Sequence, residues 1–161
     1  NAILGNTVLY GATSGRLFAA GLAGERFGVR NSGAVAVVEG VGANGLEYMT
    51  GGRAVILGPI GFNFAAGMTG GMAFVLDLDD RALINLNRDS VVAQRIGTRA
   101  WEAELKALVE EHAAETGSVF AGEILRDWDR MVGRFWQIVP KEMVHRLDKP
   151  LAEGEAVHHR A

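Results

Sequence analysis

Residues 48–57 read YMTGGRAVIL, and nineteen positions on, residues 67–76 read GMTGGMAFVL. Taken singly, each TGG invites the reading of a glycine loop wrapped around a phosphate. Taken together they are two turns of one repeat, and repetition has to be settled before any motif is interpreted. Gly33, Gly52 and Gly71 share the spacing of 19, and so do Asn31, Thr50 and Thr69. Val37, Ile56 and Val75 keep it, as do Val38, Leu57 and Leu76. The same interval relates Gly21 to Gly40, Gly42 to Gly61 and Asn44 to Asn63, and with a one-residue slip it reaches back to Gly15.

Each period holds two short runs, such as AVAVV and GLEYM, separated by glycine and asparagine. Segments of that length with β-branched and aromatic residues are expected to be extended and are too short for helices. Because equivalent residues recur in the same chain direction, successive periods must stack in parallel. The expectation is a parallel β-helix, with Val37, Ile56 and Val75 as an inward aliphatic ladder. Gly33, Gly52 and Gly71 are then structural corners, where the backbone turns sharply and a side chain would obstruct the next rung.

The phosphate reading fails on its missing parts. A Walker loop needs lysine after its second glycine, and the first lysine of this chain is Lys106. The run GVGANG at 40–45 has the letters of a dinucleotide fingerprint, but LEYMTGG after it is no helix. Calcium-binding solenoid repeats carry aspartate in every turn, and here none precedes Asp77. A hexapeptide acyltransferase would place its histidine on the coils, and His112, His145, His158 and His159 all lie beyond them.

The 161 residues include no cysteine, which excludes disulfides, a thiolate metal site, an iron–sulfur cluster held by this chain and a cysteine nucleophile. A net charge of −3 gives no electrostatic case for nucleic acid or an anionic membrane as partner. No apolar run has the length of a membrane span, and the first residues lack the order of a signal peptide. The coil charges Glu25, Arg26, Arg30, Glu47 and Arg53 group with no nucleophile or ligand set. They are candidates for an inter-domain interface, and no catalytic, cofactor-binding or metal-ligating residue is assigned.

After VLDLDD the rhythm stops. The pattern predicts coils over 1–77, a connector over 78–97, a helical cap over 98–149 and a flexible tail over 150–161. One helix should start at the N-cap Thr98, bury Trp101, Leu105, Leu108, Val109 and His112, and end at Gly117. A second should start near Ser118, with FWQIVP extended after it. The helical part is expected to cover the open strand edge behind Asp77, and the first rung to lean on coils upstream of Asn1.

GNTVLYGATSG, GERFGVRNSGA, EYMTGGR and NFAAGMTGG, with LKALVEEHAAETGS and FWQIVPKEM behind them, together resemble the C-terminal domain of the glutamate synthase large (alpha) subunit. The resemblance covers about residues 3–147 and implies a right-handed parallel β-helix that is architectural. It also implies a cytoplasmic enzyme of ammonia assimilation that hydrolyses glutamine, passes ammonia to 2-oxoglutarate and reduces the product to glutamate through FMN and an iron–sulfur cluster. Those cofactors belong to domains whose motifs are absent here. The implied partners are the glutaminase and FMN-binding synthase domains, with an electron-donor subunit as a further candidate. The alternative is a freestanding scaffold subunit of a related amidotransferase or formylmethanofuran-dehydrogenase-like complex, which shares the glycine spacing.

Overall fold

The structure, a computed structural model, describes residues 4–152. Four strands, one per coil, carry the solenoid: β1 (Arg16–Phe18), β2 (Ser32–Val38), β3 (Thr50–Ile56) and β4 (Gly70–Leu76). They pair in parallel in the order β1-β2-β3-β4, the β-helix that the repeat requires. Within them side chains alternate between the coil interior and an outer face, and both faces are buried, as in parallel sheets generally.

The register departs from the strict count at a bulge. Ser32 pairs with Gly51 but Val35 pairs with Arg53, so Gly33 and Ala34 stand opposite Gly52 alone. A slip of one residue moves a side chain to the other face of a strand. The expected inward ladder of Val37, Ile56 and Val75 is therefore corrected in its first rung. The inward row is Val38, Ile56 and Val75, with Ala36, Ala54 and Ala73 beside it, while Val37 joins Val55 and Phe74 on the outer face.

The second run of each coil is not a strand. Residues 7–11, 26–30, 44–48 and 63–67 form arms in which every second residue has positive φ, between 56° and 67°. Alternate amides along an arm donate to the coils on either side. Arg26 N donates to Ala43 O (2.9 Å), Gly28 N to Val8 O (2.8 Å) and Arg30 N to Glu47 O (2.9 Å), and the other arms repeat the scheme. The β-propensity of a segment such as GLEYM is overridden because this ladder satisfies the backbone without extended geometry. Inward, the arms supply Phe27, Leu46, Met49, Phe64 and Met68, whose bulk fills the room left by the strand alanines.

Beyond β4 come α1 (Ala82–Asn85), β5 (Val91–Arg95), α2 (Arg99–Thr116), α3 (Val119–Arg126), α4 (Trp128–Met131) and β6 (Phe135–Pro140). The open edge of β4 is covered by β6 and not by helices. β6 pairs antiparallel with β4, and β5 antiparallel with β6. On the arm side, Phe64 N donates to Asn85 O (2.9 Å) and Asn87 N to Phe64 O (2.8 Å), so the connector adds a partial coil. The helices lie on the outer face of the sheet. α2 starts where the Thr98 hydroxyl accepts from Trp101 N (3.2 Å) and stops at Gly117, whose φ is 68°. It buries Trp101, Leu105, Leu108, Val109 and His112 against Val55, Phe74 and Met72. The segment from Pro150 is not loose at its start: Leu151 is buried and accepts from Gln94 Nε2 (2.9 Å). His158 and His159 lie outside the described residues.

Candidate functional site

The glycine-rich turns are closed to a phosphate by their own hydrogen bonds. In the 40–45 run, Val41 N donates to Pro59 O (3.0 Å), Gly42 N to Gly24 O (3.1 Å) and Asn44 N to Phe62 O (3.0 Å). In the TGG turn, Thr50 N and Gly51 N both donate to Asn31 O. An anion cradle needs several free amides pointing at one spot, and these five amides, Val41, Gly42, Asn44, Thr50 and Gly51, are spent between coils. With no cysteine in the chain, the residues present do not fit the thiolate ligation of an iron–sulfur cluster.

The glycines serve the stacking. Gly52 and Gly71 hold φ of 90° and 76°. Gly33 has no positive φ; a Cβ there would fall on the carbonyl oxygen of Thr13, as one at Gly51 would on Ser32 O and one at Gly70 on Thr50 O. Asn31 is buried beside the turn, its Oδ1 accepting from Ala34 N (2.9 Å) and its Nδ2 donating to Ala34 O (3.0 Å). Asn44, Asn63 and Asn87 form a side-chain ladder, with bonds of 3.3 and 3.0 Å.

The five interface candidates divide between two faces. Arg26, Arg30 and Glu47 sit on the arms and Glu25 just before one, and the side chains of Glu25, Arg26 and Glu47 make no ion pair or hydrogen bond among the described residues. Arg30 lies over the ring of Tyr48 at 5.8 Å. The arms and their turns also expose Tyr10, Tyr48 and Phe62, each more than half accessible. Arg53 is different. It projects from β3 into the helical layer, where Nε donates to Glu104 Oε2 (2.7 Å) beside Trp101. Lys149 reaches the other oxygen of Glu104 (3.0 Å). Burial pushes the Glu104 carboxyl up, but the bonds and charges of Arg53 and Lys149 outweigh it and hold the group below its ordinary range.

One buried polar node joins coil to helices, and no sequence pattern announces it. Glu39, just after β2, accepts on Oε2 from His112 Nε2 (2.8 Å) and from Ser118 Oγ (2.6 Å). His112 is fully buried and its Nδ1 has no partner. The three residue types are those of a hydrolase triad, but the connectivity is not. The Ser118 hydroxyl donates to the carboxylate instead of to an imidazole, and it also caps α3 by accepting from Ala121 N (3.1 Å). Among the described residues, no group of three or more His, Asp or Glu could hold a metal ion.

The stacked coils with glycine corners define a repeat module. The chain belongs to the GXGXG motif family, whose model matches residues 1–141. Its relatives give the particular setting. The chain is 64% identical over 157 residues to the glutamate synthase [NADPH] large chain of Azospirillum brasilense, covering 98% of this chain and 10% of that protein. It is 56% identical over 138 residues to the ferredoxin-dependent glutamate synthase of Pyropia yezoensis, covering 86% of this chain and 9% of that protein. To the glutamate synthase [NADH] of Schizosaccharomyces pombe it is 49% identical over 155 residues, covering 96% and 7%. The chain thus spans about a tenth of the curated relatives it matches.

Proposed function

We propose that this chain is a non-catalytic, architectural domain of a glutamate synthase, holding the glutaminase and FMN-bearing synthase domains in register for ammonia transfer. The observation that carries the reading is the fate of the glycine-rich backbone. The amides of Val41, Gly42, Asn44, Thr50 and Gly51 are engaged in coil-to-coil bonds, so the feature that most invites a nucleotide serves stacking. The coil arms and their turns keep what a docking face needs: exposed aromatics, and the charges of Arg26 and Glu47 without a hydrogen bond or ion pair among the described residues. Relatives named for NADPH, NADH and ferredoxin all match this same segment, at 64%, 49% and 56% identity.

The test is made in the full-length polypeptide. Arg30→Asn and Tyr48→Asn change the docking face while keeping a residue type that accepts positive φ. Glutamine hydrolysis should continue while glutamate formed per glutamine hydrolysed falls. Unchanged stoichiometry in the double variant would count against the docking role. The chain expressed alone should show neither glutaminase turnover nor flavin absorbance, and robust turnover would sink the architectural reading.

A further inference from the structure

Between the end of β4, α1 and the start of α3 lies a cavity of about 280 Å³ that neither the stacking nor the proposed architectural role uses. Its walls are apolar: Leu57, Ile60, Leu76 and Phe120. Four charged groups also line it, and three of them, Glu39, Asp79 and Arg81, retain unused bonding capacity. Both hydrogen bonds to Glu39 land on Oε2, and Oε1 accepts none among the described residues. Asp79 makes no hydrogen bond or ion pair there, and the Arg81 side chain makes none either. Asp77 also lines the cavity but is committed, with Oδ1 accepting from Arg81 N (3.0 Å) and Oδ2 from Trp136 Nε1 (2.9 Å). Asn85 is half committed, its Nδ2 donating to Ile60 O (2.8 Å).

We infer that this cavity binds a free α-amino acid with an apolar side chain. A pocket with apolar walls, carboxylates without enough donors and an unpaired guanidinium is complementary to a compact zwitterion. The ammonium goes to Glu39 Oε1 and Asp79, the carboxylate to Arg81, and the aliphatic or aromatic side chain to Leu57, Ile60 and Phe120. An amine alone leaves Arg81 unpaired, and a fatty or keto acid leaves the two carboxylates unpaired. The binding of all three parts together is what separates an amino acid from either. Glu39 also ties His112 and Ser118 to the coil, so occupancy of the site reaches the coil–helix seam. The inference does not rest on the architectural reading and stands or falls separately from it.

Isothermal titration calorimetry with L-leucine as the probe tests it. Saturable binding is expected at millimolar concentration, weakened roughly tenfold or more, about 1.4 kcal/mol, for N-acetyl-leucine and for leucinamide. Arg81→Ala should abolish the preference for leucine over leucinamide, and Asp79→Asn should reduce the preference for leucine over N-acetyl-leucine, with Glu39 left as the one carboxylate facing the ammonium. Both side chains are exposed and make no hydrogen bond or ion pair among the described residues, so neither replacement threatens the fold. Absence of saturable leucine binding, or binding that both variants leave unchanged, would overturn the assignment.

Discussion

Single backbone positions carry much of this fold. Gly52 is the sharpest case, because its φ of 90° coincides with a Cβ position that falls on the carbonyl oxygen of Ala34. Gly52→Val should therefore cost about 2–4 kcal/mol through strain and collision with a neighbouring coil that cannot retreat. Urea unfolding measures it, and a variant that unfolds like the parent would mean the corner is not under this constraint. Glu104 gives a second prediction. Its folded pKa lies below the ordinary value of 4.5, so folding favours the ionised form. The resulting stability is present above pH 4.5 and is lost as pH falls through the depressed folded value. Glu104→Gln should lower stability at neutral pH and flatten its acid dependence between those limits; an acid profile identical to the parent's would argue against the Arg53–Glu104–Lys149 network.

At the scale of elements, the helices are held by their ends and by one face. Thr98 is buried and caps α2, whose buried stripe closes the outer side of the sheet. Thr98→Ala should cost about 1 kcal/mol, read as a shift in the denaturant midpoint at unchanged slope. Substitution by Ser, which keeps the acceptor oxygen, should recover most of it. β6 shows why element identity and element role separate. FWQIVP is legible as extended from its residues alone, whereas its pairing with β4 depends on a partner some sixty residues away, with Val75 opposite Trp136. The arms show the reverse. Their periodicity is plain, yet their residues look like strand, because the sign of φ at Leu46 or Tyr48 is imposed by hydrogen bonds from neighbouring coils and not by the residue.

For the whole molecule, what could be read from the chain was whatever repeats. The 19-residue interval yields the parallel stack, and Ala36, Ala54 and Ala73 fall in line by it once the bulge is allowed for. The bulge, placed by two residues against Gly52, shifts the pairing register by one residue and so exchanges faces, which is why Val37 could not be assigned from spacing. The Glu39–His112–Ser118 node and the cavity beside Arg81 bring together residues from coil, connector and helix. Nothing periodic links them, and only the folded chain does. The arms, finally, bear on how such a molecule comes to be folded. Arm and strand of each coil meet their counterparts about 19 residues away, as Arg16 meets Val35. A parallel sheet usually demands distant closures, slow in proportion to the chain entropy lost. Here every closure is the same short loop, and a coil already in place presents the amides and carbonyls that dictate the unusual φ of its neighbour. Assembly can then run as a zipper, with one costly first pairing followed by inexpensive copies. The antiparallel β6, which cannot template another parallel coil, is where the zipper stops.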